Sequence, residues 1–184
     1  SSDVCSSDLW VLDAARQCKT FSRLIVATDS DEIAAVVKQY GGEVMMTDPS
    51  LNSGSERAAE VVDILGEQWD GIVNIQGDMP FISAQMVDAV VSFTLNSKTD
   101  FAIGTAATII SDPEAFAEKA NVKVVLGADG RALYFSRSQI PCSRDGDLMT
   151  HNGKAILGYK HLGLYVYKPR GLALFRKGAA RCEL

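Results

Sequence analysis

A chain of 184 residues, 47% hydrophobic and 22% charged, holds enough apolar material for one sizeable core and too little for two, and its composition is not that of a disordered protein. Its net charge of −5, with no run of Lys or Arg, excludes a general nucleic-acid binder, which needs clustered cations, but leaves room for a small phosphorylated ligand. No apolar run approaches the roughly 18 residues of a membrane span, and the scattered Cys5, Cys18, Cys142 and Cys182 suggest neither zinc spacing nor a disulfide framework, so reduced thiols in a cytoplasmic protein are expected.

Residues 1–9 repeat Ser-Ser-Asp and show neither strand nor helix periodicity; a non-native or disordered tail is expected there, followed by one incomplete domain over 10–184. Val11 to Lys19 reads as the end of a helix, with Val11, Leu12 and Ala15 on one face. Arg23 to Ala27 is an apolar strand ending at Thr28-Asp29, where Asp29 is the expected cap of the next helix, with Glu32 completing a capping box. That helix runs to about Tyr40 and stops at Gly41-Gly42. A short strand over Val44–Met46 leads through a polar loop, Asn52-Ser53-Gly54, into a helix over Ser55–Leu65. The strand Gly71 to Ile75 comes next, then a helix from Ser83 to about Leu95, a strand over Asp100–Ile109 and a short helix over Pro113–Lys119.

Near-continuous apolar strands at 24–27 and 72–75 within this alternation predict a doubly wound, mostly parallel α/β sheet covered on both faces. After Asn121 the pattern changes. Val122–Leu126 and Ala132–Phe135 flank Ala128-Asp129-Gly130, a hairpin turn, and Leu162–Tyr167 forms a further strand, so an antiparallel extension of the sheet is expected. A doubly wound domain ordinarily opens with a strand before its first helix, and neither end of this sequence supplies a closing element, so a fragment truncated at both ends is expected.

Chemistry is densest at Gln76-Gly77-Asp78-Met79-Pro80, where a buried strand ends abruptly and leaves an acid. In open α/β sheets ligands sit beyond the strand ends, and a carboxylate there suits Mg²⁺ held against nucleotide phosphates. A plain Gly-Asp turn closed by Pro80 is the alternative.

Three more cassettes stand near strand ends: Asn52-Ser53-Gly54-Ser55-Glu56-Arg57; Ala132-Leu133-Tyr134-Phe135-Ser136-Arg137-Ser138-Gln139-Ile140-Pro141 with Arg144 shortly after; and His161-Leu162-Gly163-Leu164-Tyr165. In this order and spacing the four resemble the 3-deoxy-manno-octulosonate cytidylyltransferases (CMP-Kdo synthetases), from about Trp10 to Lys168. Gln-Gly-Asp is shared with other nucleotidylyltransferases; Leu-Tyr-Phe-Ser-Arg-x-x-Ile-Pro is the specific motif.

The resemblance implies a nucleotide-diphospho-sugar-transferase-like fold, a homodimer, and transfer of a cytidylyl group from CTP to the sugar acid Kdo with release of pyrophosphate, supplying lipopolysaccharide synthesis. It implies Asp78 as metal ligand and, with Arg137, as catalytic; Ser53, Gly54, Ser55, Arg57 and Gln76 as nucleotide contacts; and Gln76, Arg137, Arg144, His161 and Tyr165 as sugar contacts. From the residues alone, the Ser53–Arg57 stretch is equally a plain helix cap with a solvated Arg. Arg137 and Arg144, seven apart around Ile140-Pro141, form a pair able to grip a carboxylate through forked hydrogen bonds. Tyr165 shares a strand face with His161 by period two.

The chain departs from the family at Met79, where an acid is usual, at Lys160, where an Arg commonly precedes the His, and mildly at Ser55 for Thr. The family's amino-terminal phosphate loop and its second metal-binding acid fall outside this sequence, so the 184-residue chain is expected to have little activity alone. Two alternatives stay open: a cytidylyltransferase for another sugar acid such as a sialic acid, and a non-catalytic nucleotide-binding or dimerisation module.

Overall fold

In the computed structural model, which describes residues 4–79, 81–142, 144 and 149–179, the chain divides into two compact units. The first comprises residues up to Gly104 together with those from Leu164; the second is Thr105–Gly163.

The first unit opens with α1 (Val4–Arg16), which therefore includes part of the stretch that showed no periodicity. Strand β1 (Ile25–Thr28), helix α2 (Asp31–Gln39), strand β2 (Glu43–Met46), helix α3 (Gly54–Leu65), strand β3 (Ile72–Asn74) and helix α4 (Ala84–Asn96) follow. Helices α2, α3 and α4 each start on a serine. Ser30, Ser53 and Ser83 sit in extended backbone and accept from the amides of Ile33, Glu56 and Met86, satisfying donors that a helix start leaves orphaned. The expected cap at Asp29 is thus one residue early; Asp29 pairs instead with Arg57. Gly66, at φ +63°, ends α3 in the left-handed region that glycine enters without steric cost.

The expectation of a mostly parallel, doubly wound sheet is overturned. Strands β1 and β2 pair in parallel, Ile25 opposite Glu43 through Thr28 opposite Met46. Strand β3 runs antiparallel to the end of β9 (Gly158–Tyr167), with Ile72 opposite Tyr167 and Asn74 opposite Tyr165. The apolar runs that suggested strands buried on both faces are half-buried, and β1 and β3 do not pair with each other but line a cavity of about 730 Å³ along with Val11, Val61 and Trp69. The architecture is α/β with a small parallel sheet and larger antiparallel ones.

The core of this unit gathers Val11 of α1, Ile82 just before α4, Val87 and Val91 within α4, and Leu164 and Val166 of β9. Leu164 and Val166 have no exposed surface, and full burial of such side chains stabilises by roughly 1.5–3 kcal/mol each. A second cluster joins Ala59 of α3, Tyr167, and Leu172 of α6 (Pro169–Ala179).

In the second unit, β4 (Ile103–Ile110) leads to α5 (Pro113–Ala117), capped by Asp112 with Pro113 in the first turn. Strands β5 (Lys123–Leu126) and β6 (Ala132–Ser136) form the expected hairpin, antiparallel, with Gly130 at φ +80°. Lys123 lies opposite Ser136 on one side and Lys160 of β9 on the other. Strand β4 also pairs with β9, and β7 (Met149–His151) pairs with β8 (Lys154–Ile156).

Candidate functional site

In the first unit, the start of α3 meets the end of β3. A Cβ added to Gly54 would lie 2.7 Å from Gln76 Nε2 and 3.2 Å from Asn74 Nδ2, so any side chain there would require the Gln76 amide to shift. Ser53 Oγ accepts from Glu56 N at 3.2 Å, and the Glu56 carboxylate accepts from Asn52 N at 2.7 Å, an arrangement that fixes the first turn. Helix starts of this kind present amides to anions or polar edges. Ser55 Oγ stands 2.5 Å from the Tyr167 hydroxyl.

Arg57 does not project freely. Its Nη1 donates to Thr47 Oγ1 at 2.5 Å and its Nη2 to Asp29 Oδ2 at 2.7 Å. The Arg57 hydrogen bond is the main reason the Asp29 carboxyl is held below its usual range. Any anion contact by Arg57 is shared with these partners.

Gln76 is half-buried directly after β3, and Asp78 is exposed in the turn two residues on. Met79 turns inward and packs against the Val11–Val166 cluster, so the position where an acid is usual carries core packing instead. Pro80, the last residue of that motif, lies outside the described residues. Tyr165 is half-buried and stacks on Tyr167 with ring centroids 6.2 Å apart. Burial pushes both phenols up, and hydrogen bonds from Ser55 and Asn74 partly offset this at Tyr167.

The second unit holds Arg137, Arg144 and His161. Arg137 is exposed just past β6, with Nη1 on Lys119 O at 2.9 Å. Arg144 is exposed as well. His161 Nε2 lies 2.9 Å from Thr105 Oγ1, and that hydroxyl donates its one proton to Leu162 O at 3.2 Å. Phe135 meets the imidazole edge-on at 4.8 Å, and burial pushes its pKa down, favouring the neutral ring.

The structure thus gathers Ser53, Gly54, Ser55 and Gln76 at one helix–strand junction, with Arg57 one turn into the same helix. Three residues escaped the sequence analysis. Tyr167 holds Ser55, and its spacing of two from Tyr165 was the available signal. Asn74, whose side-chain amide lies beside Gly54, was hidden in an apolar strand. Lys123, fully buried, was hidden the same way.

The cytidylyltransferase family matches residues 9–177 of this chain. The chain is 40% identical over 166 residues to a 3-deoxy-manno-octulosonate cytidylyltransferase of Desulfosudis oleivorans, covering 90% of this chain and 64% of that protein. It is also 40% identical over 173 residues to the enzyme of that name from Aliivibrio fischeri, covering 90% and 67%. A solved structure of CMP:2-keto-3-deoxy-manno-octonic acid synthetase complexed with CTP superposes with a TM-score of 0.79 at 32% identity, over 93% of this chain and 66% of that one. The chain spans about two thirds of the length of these relatives. With a family match across most of its residues and this level of identity, the chain belongs to the cytidylyltransferase family, among the 3-deoxy-manno-octulosonate cytidylyltransferases.

Proposed function

We propose that the full-length protein transfers the cytidylyl group of CTP to Kdo, giving CMP-Kdo and pyrophosphate for lipopolysaccharide synthesis. The anomeric hydroxyl attacks the α-phosphorus, a new P–O bond forms, the bond from the α-phosphorus to the α,β-bridging oxygen of CTP breaks, pyrophosphate leaves with that electron pair, and the hydroxyl proton passes to solvent. The observation that carries this reading is the Gly54–Gln76 junction: a serine-capped helix start pressed onto a strand-end amide, with the Asn74 side-chain amide beside it. That arrangement suits the polar edge and phosphates of a nucleotide. Ser53, Gly54, Ser55, Arg57 and Gln76 are its proposed nucleotide contacts.

For the sugar acid, the proposed contacts are Gln76, Arg137, Arg144, His161 and Tyr165. The Arg137 guanidinium, which has no carboxylate partner among the described residues, suits the sugar's carboxylate. His161, half-buried beside Thr105, suits a sugar hydroxyl as its partner.

Among the described residues no three His, Cys, Asp or Glu side chains form a metal cluster. Asp78 supplies one exposed carboxylate, which fits Mg²⁺ arriving with the nucleotide, since that ion takes one or two carboxylates and fills its shell with phosphate and water. When bound, it would supply positive charge against the phosphate oxygens. Asp78 and Arg137 are the proposed catalytic residues.

The protein is proposed to act in the cytoplasm as a homodimer. No described helix is long and apolar enough to cross a membrane. Leu133, Tyr134 and Phe135 of β6, 67%, 63% and 43% exposed on the last strand of its sheet, favour a second copy as partner. Following pyrophosphate release from CTP and Mg²⁺ with Kdo, with a sialic acid and without sugar tests the reaction. Release that needs Kdo supports it; release with the sialic acid alone replaces the sugar assignment.

A further inference from the structure

Lys123 begins β5 and has no exposed surface. Its Nζ donates to Glu118 O at 2.9 Å, Asn121 O at 2.8 Å and Arg137 O at 2.8 Å, which uses every proton of the ammonium. None of these acceptors is a carboxylate. A buried cation held by carbonyl dipoles alone is costly compared with the apolar side chains that fill the rest of this strand.

What the cation holds is the main chain at Arg137. Lys123 lies opposite Ser136, the last residue of β6, so the β5–β6 ladder ends one residue before Arg137. Beyond that rung the ammonium takes the place of a ladder bond. Arg137 is tied back to the loop after α5 twice, by its carbonyl through Lys123 and by its guanidinium through Lys119 O.

We infer that Lys123 is a positioning residue, whose buried ammonium fixes the backbone at Arg137 and thereby sets the direction in which that guanidinium meets the sugar acid. The inference rests on the proposed contact between Arg137 and the sugar carboxylate. It adds a requirement on a residue that touches no substrate.

Steady-state pyrophosphate release by the full-length protein, with CTP and Kdo varied separately, tests it. Lys123→Met raises the KM for Kdo by about tenfold, the loss expected of one misaligned charge-assisted contact, lowers kcat by no more than Arg137→Ala does, and moves the KM for CTP by less than about twofold. Arg137→Ala raises the KM for Kdo at least as much, and the double variant is no worse than Arg137→Ala alone, because Lys123 acts through Arg137. An unchanged KM for Kdo in Arg137→Ala overturns the Arg137 contact itself. A defect in Arg137→Ala beside an unaffected Lys123→Met, or effects that add in the double variant, overturns the role of Lys123. If Lys123→Met does not fold, the unsubstituted protein decides: the ¹⁵Nζ resonance of Lys123 shifts on saturation with Kdo and not with CTP alone, and a resonance that Kdo leaves in place overturns the inference.

Discussion

The Tyr167 hydroxyl and Ser55 Oγ stand 2.5 Å apart, joining the last residue of β9 to the first turn of α3 across 112 positions of sequence. Ser55 is a proposed nucleotide contact, and its hydroxyl is oriented from the core side by a tyrosine that is 2% exposed. Replacing Tyr167 by Phe keeps the buried ring and removes the bond, which is expected to cost about 1 kcal/mol of stability. It should also raise the KM for CTP several-fold while leaving that for Kdo unchanged. Chemical denaturation and steady-state kinetics on the same protein measure both.

Two glycines near α3 separate backbone strain from site geometry. Gly54→Ala places a methyl 2.7 Å from the Gln76 amide, so Gln76 must move, and weaker CTP binding accompanies a stability loss of about 1–2 kcal/mol. Gly66→Ala meets nothing within 4 Å but sits at φ +63°, so about 1 kcal/mol is lost with CTP binding intact. Calorimetric titration of CTP into each variant distinguishes the two.

His161 carries a pH prediction. Burial lowers its pKa in the folded state from the ordinary value of 6.5. The unfolded chain therefore binds the proton more readily, and stability falls as pH drops below about 6.5 toward the folded pKa. Thermal unfolding between pH 7.5 and 5 should show this loss, and His161→Gln should remove it. The carboxyls of Asp29, Glu43, Asp48 and Asp88, all held below their usual range, lose their contributions only at lower pH, beneath this window.

At Asp78 the proposed role is electrostatic. Asp78→Asn removes a charge from an exposed turn, so stability stays within about 0.5 kcal/mol. Turnover in the full-length protein should nevertheless fall by about a hundredfold or more at saturating CTP. Binding of CTP without metal should be unaffected, as fluorescence titration in chelator would show.

Local chemistry made much of the helical part legible. The Ser53 cap, the Gly41 stop and the Gly130 hairpin depend on neighbours within a few residues, and each lies where propensity places it. Asp29 was misjudged as a cap because Ser30 beside it serves equally well, leaving Asp29 to Arg57. Sheet topology was not legible. An apolar run such as Ile72–Ile75 looks the same whether its partner is parallel or antiparallel, and the partner here, β9, lies some ninety residues away. The motif residues of the candidate site could be named from their order along the chain. Lys123 and Tyr167 could not, because a lysine in an apolar strand and a tyrosine near its end acquire meaning only from the carbonyls and hydroxyl they meet.

The most direct test of the central claim is ³¹P NMR on the full-length protein with CTP, Mg²⁺ and Kdo. The account predicts a new phosphodiester resonance of a CMP-linked sugar, growing in step with pyrophosphate and absent when Kdo is omitted. Pyrophosphate that appears without that resonance, or no turnover of CTP by a folded protein that binds it, would contradict cytidylyl transfer to Kdo.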